Sequence, residues 1–150
     1  MRVVAQRVDY AEVIVEGKVV GKIDRGLMLL VSAGENDSDK DVVWMSRKVS
    51  NLRIFPDEND RMNLSVIDIG GEVLAISQFT LHGDCRKGNR PGFVKSMSPE
   101  PAEKLFDNFV SKLRDSNIRK VETGIFGAHM EVKLLNNGPV TMLLDSEKTF

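Results

Sequence analysis

Two short segments far apart in the chain carry residue types suited to carbonyl chemistry. Ser77-Gln78-Phe79-Thr80-Leu81 closes an apolar run that begins at Val73, and Asn136-Asn137-Gly138-Pro139-Val140-Thr141 interrupts two apolar runs, residues 130–135 and 140–144. The first offers two hydroxyls, an amide side chain and strand-end backbone amides, the groups that stabilise a tetrahedral oxyanion in acyl transfer. The second offers backbone: Gly138 has no Cβ to keep a ligand away, and Pro139 fixes its own φ. Read from residue types alone, Ser and Thr at a strand end most often satisfy local backbone groups. Gly-Pro between strands is by the same reading a trans turn, because only about 5–6% of X-Pro bonds in folded proteins are cis.

The elements that must hold these segments are legible from periodicity. Strands are predicted at residues 2–8, 11–15 and 19–23, the last two around a Glu16-Gly17-Lys18 turn, and a continuously apolar, buried strand at 27–31. Val42, Val43, Met45 and Val49 predict a helix over 40–50, capped by Ser38 or Asp39, with Trp44 at the edge of its buried face. Residues 56–61 read as a charged turn, and 72–81 as a strand opened by Gly70-Gly71. Residues 82–97 form a loop long enough to signal function, with Arg86, Lys87, Arg90 and Lys95 in it. Pro99 starts a second helix, 99–115, whose stripe of Ala102, Leu105, Phe106, Phe109, Val110 and Leu113 is core. Strands at 120–123, 128–135 and 140–145 complete the chain. Alternation places Ser77 and Phe79 on one strand face and Gln78 and Thr80 on the other. The order predicts a single α/β domain, residues 1–150, with two helices packed outside mixed sheet.

Composition narrows the chemistry. The chain has 150 residues, 41% hydrophobic and 29% charged, with a net charge of −1. That balance argues against broad, salt-driven binding along nucleic acid, so any RNA contact should be local. No apolar run approaches the ~20 residues of a membrane-spanning helix. The start lacks the apolar region and small-residue cleavage site of a secretory signal, so a cytoplasmic location is expected. The single cysteine, Cys85, excludes an internal disulfide and a CxxC pattern. His82, Cys85 and His129 have no zinc-type spacing, so neither metal nor cofactor is expected, and His82 reads as a solvent-side loop residue.

The two segments, with Gln6-Arg7-Val8, Asn51-Leu52-Arg53-Ile54-Phe55, Arg61-Met62-Asn63-Leu64-Ser65, Lys87-Gly88-Asn89-Arg90-Pro91 and Thr123-Gly124-Ile125-Phe126-Gly127-Ala128, fall in one order along the chain. In that order they resemble the D-aminoacyl-tRNA deacylase family, dimeric enzymes that remove D-amino acids from tRNA. The resemblance implies a compact two-layer α/β fold and a homodimer acting on the aminoacyl-tRNA acceptor end. It reverses the expectation for Gly138-Pro139, implying a cis bond inserted into the partner subunit's site, where the backbone leaves no room for an L side chain. It implies that Ser77, Gln78, Phe79 and Thr80 surround the ester carbonyl, that Arg7 braces the Gly-Pro turn, and that Phe126 either lines the adenine or aminoacyl pocket or is a core aromatic. Arg86, Lys87 and Arg90 are candidates for acceptor-end phosphates, against the plainer reading of solvated cations. Asn137, where the family often has Asp, and Gly92, where Ser is frequent, are the departures. A non-catalytic dimeric binder of the aminoacyl-tRNA end is the rival; a small-molecule esterase is disfavoured, because no Ser-His-Asp order can be assembled.

Overall fold

The computed structural model describes residues 1–150. Eight strands and two helices run β1 (Arg2–Val15), β2 (Lys18–Ile23), β3 (Gly26–Ser32), α1 (Asp39–Ser50), β4 (Phe55–Pro56), β5 (Met62–Leu64), β6 (Glu72–Ser77), α2 (Pro99–Arg114), β7 (Lys120–Thr123) and β8 (Glu131–Asp145), with a 3-10 turn at Phe79–His82. No helix is long and apolar enough to cross a membrane.

Six strands form one sheet, and β1 organises it. Its first half pairs antiparallel with β3, its second half with β2, and nearly its whole length with β8 on the other side. Beyond β3 the sheet turns parallel, β3 to β6 to β7. Parallel neighbours need crossovers, and α1 and α2 lie in those two connections.

Alternation along the buried strands splits the apolar residues into two cores. Leu27, Leu29, Val31, Val73 and Ala75 point to the helix face, where they meet Val42, Met45 and Val49 of α1 and Phe106, Phe109, Val110 and Leu113 of α2. Met28, Leu74 and Ile76 point the other way and pack against Val8, Ala11, Val13 and Ile23. The second core exists because the sheet curls, laying β2 over β6 and β7. At Gly21 a Cβ would stand 2.5 Å from the Thr123 carbonyl, so only glycine permits that approach. The two expected layers are thus plies of one sheet. Each fully buried Leu, Val or Phe contributes about 1.5–3 kcal/mol to holding them.

The helices begin as their sequences dictate. Ser38 caps α1, and its backbone N–H donates to the Asp41 carboxylate at 2.9 Å. Ser98 precedes α2, with Pro99 in the first turn, where its missing N–H costs nothing.

Several boundaries differ from the sequence expectation. Residues 2–8 and 11–15 are one strand, with register irregularities on either side of Val8 instead of a break. β8 likewise runs through Gly138-Pro139, and the shift between Gln6 and Val8 absorbs the turn. Proline is tolerated there because β8 is an edge strand, paired with β1 alone. β6 ends at Ser77, not at residue 81. Part of the expected charged turn at 56–61 enters a small hairpin, where Pro56 pairs with Met62.

Candidate active site

The parallel strands β3 and β6 end side by side, and a cleft of about 580 Å³ opens beyond their carboxyl ends. Ligands of open α/β sheets bind in that position. Val31, Ser32 and Ala33 of β3 and its extension, and Ile76 and Ser77 of β6 with Gln78 just beyond it, form one wall; Phe79, Phe93, Phe106 and Phe126 make the cleft mostly apolar.

Gln78 leaves the strand at φ −146°, ψ 79°, and the chain tightens into the 3-10 turn. The alternation expected through Thr80 therefore stops at Ser77. Phe79 and Thr80 come out exposed, with Phe79 edge-on to Phe93 at 5.0 Å between ring centroids. Gln78 Nε2 donates to Thr80 Oγ1 at 2.6 Å. As the first two amides of the turn, Phe79 and Thr80 N–H have no acceptor within it. Phe126 is half-buried, lining the cleft on one side and packing on Phe106 at 6.1 Å between ring centroids. His129 is also among the lining residues; the sequence reading passed over Phe93, although it lies within the loop singled out for its length.

His82 is not a solvent-side residue. It is 8% exposed, with Nδ1 2.7 Å from Ser32 Oγ. Burial, then the nearby Arg2 charge, pushes its pKa below the ordinary histidine value. Its contact with buried Ser32 and its close approach to Gly34 hold it inward, a tertiary effect with no local sequence signal.

The Gly-Pro turn stands elsewhere. The Gly138-Pro139 bond is cis, and both residues are exposed. Arg7 lies opposite on β1: its Nε donates to the Asn137 carbonyl at 3.1 Å, one terminal nitrogen to Asn137 Oδ1 at 3.2 Å, and the other to the Ile54 carbonyl at 2.7 Å. Asn137 in turn donates to both Asp9 carboxylate oxygens at 2.9 and 2.8 Å. An aspartate at 137 would face Asp9 as a like charge, so the asparagine at this position has a local reason.

Register fixes how far apart the two segments lie. The turn sits at the level of Arg7, which pairs with Leu27, which pairs with Val73; Ser77 is four residues further along β6. Moving from β8 across β1 and β3 to β6 gives about 14 Å across and about 13 Å along, roughly 20 Å in all. One copy of the chain does not bring Gly138 and Pro139 to Ser77–Thr80.

In the long loop, Arg86 is already engaged: its guanidinium donates to both Asp84 carboxylate oxygens and holds that carboxyl well below the usual range. Lys87 and Arg90 form no ion pair. Backbone bridges between Asp84 and Gly92 and between Gly34 and Ser96 tie the loop down at its base.

A family model described as D-Tyr-tRNA(Tyr) deacylase matches residues 4–145. The chain belongs to that family. It is 56% identical over 150 residues, the full length of both chains, to a D-aminoacyl-tRNA deacylase of Thermosipho africanus. It is 55% identical, again over both full lengths, to one of Clostridium perfringens. Among solved structures it resembles a c-Myc DNA unwinding element binding protein, with TM-score 0.92 and 39% identity over 97% of this chain and 98% of that one. A probable eukaryotic D-amino acid tRNA deacylase shares the fold, with TM-score 0.83 and 18% identity over 95% and 97% of the two chains. The segments 77–81 and 136–141 lie on the cleft rim and on the edge strand.

Proposed function

We propose that this chain hydrolyses the ester between a D-amino acid, or glycine, and the terminal adenosine of tRNA, as a cytoplasmic homodimer. The observation that carries the reading is the separation of roughly 20 Å between two segments, each with an exposed residue pair, Phe79-Thr80 and Gly138-Pro139, and too far apart within one chain to share a substrate. A second copy resolves this. The edge strand β8 turns Leu135 and Leu143 outward, 59% and 61% exposed. A long, unpaired edge with apolar side chains is a surface that associates. In the proposed dimer a two-fold association through this surface brings Gly138 and Pro139 of one copy to the 77–80 segment of the other, giving two equivalent sites.

The terminal adenosine and aminoacyl group occupy the cleft, with Phe79 and Phe126 as apolar walls and Ser77 and Gln78 as polar contacts. Water adds to the ester carbonyl, whose oxygen takes negative charge and is held by the Phe79 and Thr80 amides. The bond to the ribose oxygen then breaks, releasing free amino acid and a ribose hydroxyl. The neighbouring ribose hydroxyl assists in activating water. The partner's Gly138 and Pro139 carbonyls accept from the substrate α-amino group and exclude an L substituent. Glycine has nothing to exclude and passes.

The Thr80 hydroxyl takes its hydrogen bond from the Gln78 amide, a donor rather than a base. A nucleophilic Thr80 would need a base. Thr80→Ala is therefore expected to keep deacylation within about ten-fold of wild type in single-turnover assays; a loss on the order of a million-fold would make the hydroxyl the nucleophile. Lys87 and Arg90 have charge to offer phosphate. Reversing both, as K87E/R90E, should weaken tRNA binding and reduce the slope of log affinity against log salt by about 1–2. An unchanged slope removes them from the interface.

Matched D- and L-aminoacyl-tRNAs test the whole reading. Release of the D residue and of glycine, with the L ester intact, is the expected result. Release of both enantiomers overturns the selector, and release of neither leaves a binder of the aminoacyl-tRNA end.

A further inference from the structure

The turn carrying Phe79 and Thr80 is held by side chains of the cleft wall that lie outside the 77–81 and 136–141 segments. Ser32 Oγ, at the end of β3, donates to the Phe79 carbonyl at 3.3 Å, and Ser96 Oγ, from the end of the long loop, donates to the same oxygen at 3.2 Å. Ser32 is 3% exposed and His82 8%, and His82 Nδ1 lies 2.7 Å from Ser32 Oγ. A serine hydroxyl has one proton. With that proton on the Phe79 carbonyl, Ser32 must accept from His82, so His82 carries its proton on Nδ1. In that arrangement the order is His82 Nδ1–H to Ser32, and Ser32 O–H to Phe79. Arg2 fixes the next carbonyl but one, donating to the Leu81 oxygen at 3.0 Å.

The Phe79-Thr80 peptide is trans and planar, so its N–H points opposite to its C=O. Anchoring the Phe79 carbonyl on the two serines aims the Thr80 N–H away from them. Hydrogen bonds accepted by the carbonyl also polarise the amide and strengthen its N–H as a donor, because hydrogen bonds in a chain reinforce one another.

We infer that Ser32 and Ser96, with His82 behind Ser32, are positioning residues that aim and polarise the Thr80 amide for the ester oxyanion. The inference rests on the proposed deacylase reading for its catalytic consequence, but the clamp can be read without turnover. Both serines also line the cleft. Their effect travels through one peptide plane.

The test compares wild type, Ser32→Ala, Ser96→Ala, the double variant and Ser96→Thr by ¹⁵N-labelled NMR of the Thr80 amide and by single-turnover deacylation of D-aminoacyl-tRNA. Ser96 is partly exposed, so its variants keep the fold even if Ser32→Ala loosens β3. The expected result is an upfield move of the Thr80 amide resonance in each alanine variant and a larger one in the double. The chemical rate should fall about ten-fold for each single variant and 30- to 100-fold for the double, with KM nearly constant. Ser96→Thr, which keeps the hydroxyl, should restore both readouts. An unmoved Thr80 resonance in the double variant overturns the clamp whatever the activity; so does a double variant whose chemical rate stays within two-fold of an active wild type. A resonance that moves in a protein whose wild type releases no amino acid leaves the clamp standing and removes the deacylase reading instead.

Discussion

Gly138→Ala should abolish turnover, lowering the single-turnover rate on D-aminoacyl-tRNA by 100-fold or more while leaving a folded protein. The physical reason is local. Gly138 has φ +126°, a region that L side chains rarely adopt, and a Cβ built there lies 2.8 Å from Val140 Cγ2 and 2.9 Å from an Arg7 terminal nitrogen. Backbone strain of this kind costs on the order of 1–3 kcal/mol. The chain can relieve it by rotating the turn or by pushing Arg7 aside, and Arg7 holds the Asn137 carbonyl. Either response moves the 138 and 139 carbonyls. A displacement near 1 Å of a positioning group costs about 100-fold in rate. The turn is exposed and Val140 is its only buried member, so the fold should survive with a modest fall in melting temperature. Melting and rate measured on one preparation separate these effects. Retained activity within two-fold would mean that the turn does not meet the substrate.

The Gly-Pro turn also marks where sequence reading stops. Gly138 and Pro139 could be singled out because glycine and proline punctuate apolar runs. Their consequence for β8 could not, because a strand that continues through a proline depends on having no neighbour on one side, and the neighbour count is a property of the sheet. The split expected within β1 failed for a related reason: Asp9 and Tyr10 interrupt the apolar pattern, yet β8 supplies hydrogen bonds along both halves. The helices were legible to within a residue, since the stripe in α2 and the Ser38 cap of α1 are local signals. The site was half legible. Ser77 and Gln78 ride on a buried strand whose pattern is plain, but the turn at Gln78 and the burial of His82 come from packing beyond the strand's end. Ser32 and Ser96, 64 residues apart in the chain, meet at one carbonyl only because β3 and the long loop flank it.

Mixing two dead variants should restore activity, and the amount is set by symmetry. Thr80→Pro deletes the amide N–H that the oxyanion needs, and removing such a donor costs about 100- to 1,000-fold. Gly138→Ala disables the selector. In a heterodimer of the two, one site joins the intact 77–80 segment of the Gly138→Ala copy to the intact turn of the Thr80→Pro copy, and the other site carries both lesions. Random exchange of equal amounts makes about half the dimers mixed, each with one working site of two, so recovery should approach one quarter of wild-type activity. The two homodimers kept apart should stay inactive. The prediction turns on the roughly 20 Å between Arg7's level on β8 and the end of β6, a distance that one copy cannot close. If each chain built a whole site from its own residues, every site in the mixture would carry a lesion, and exchange would restore nothing.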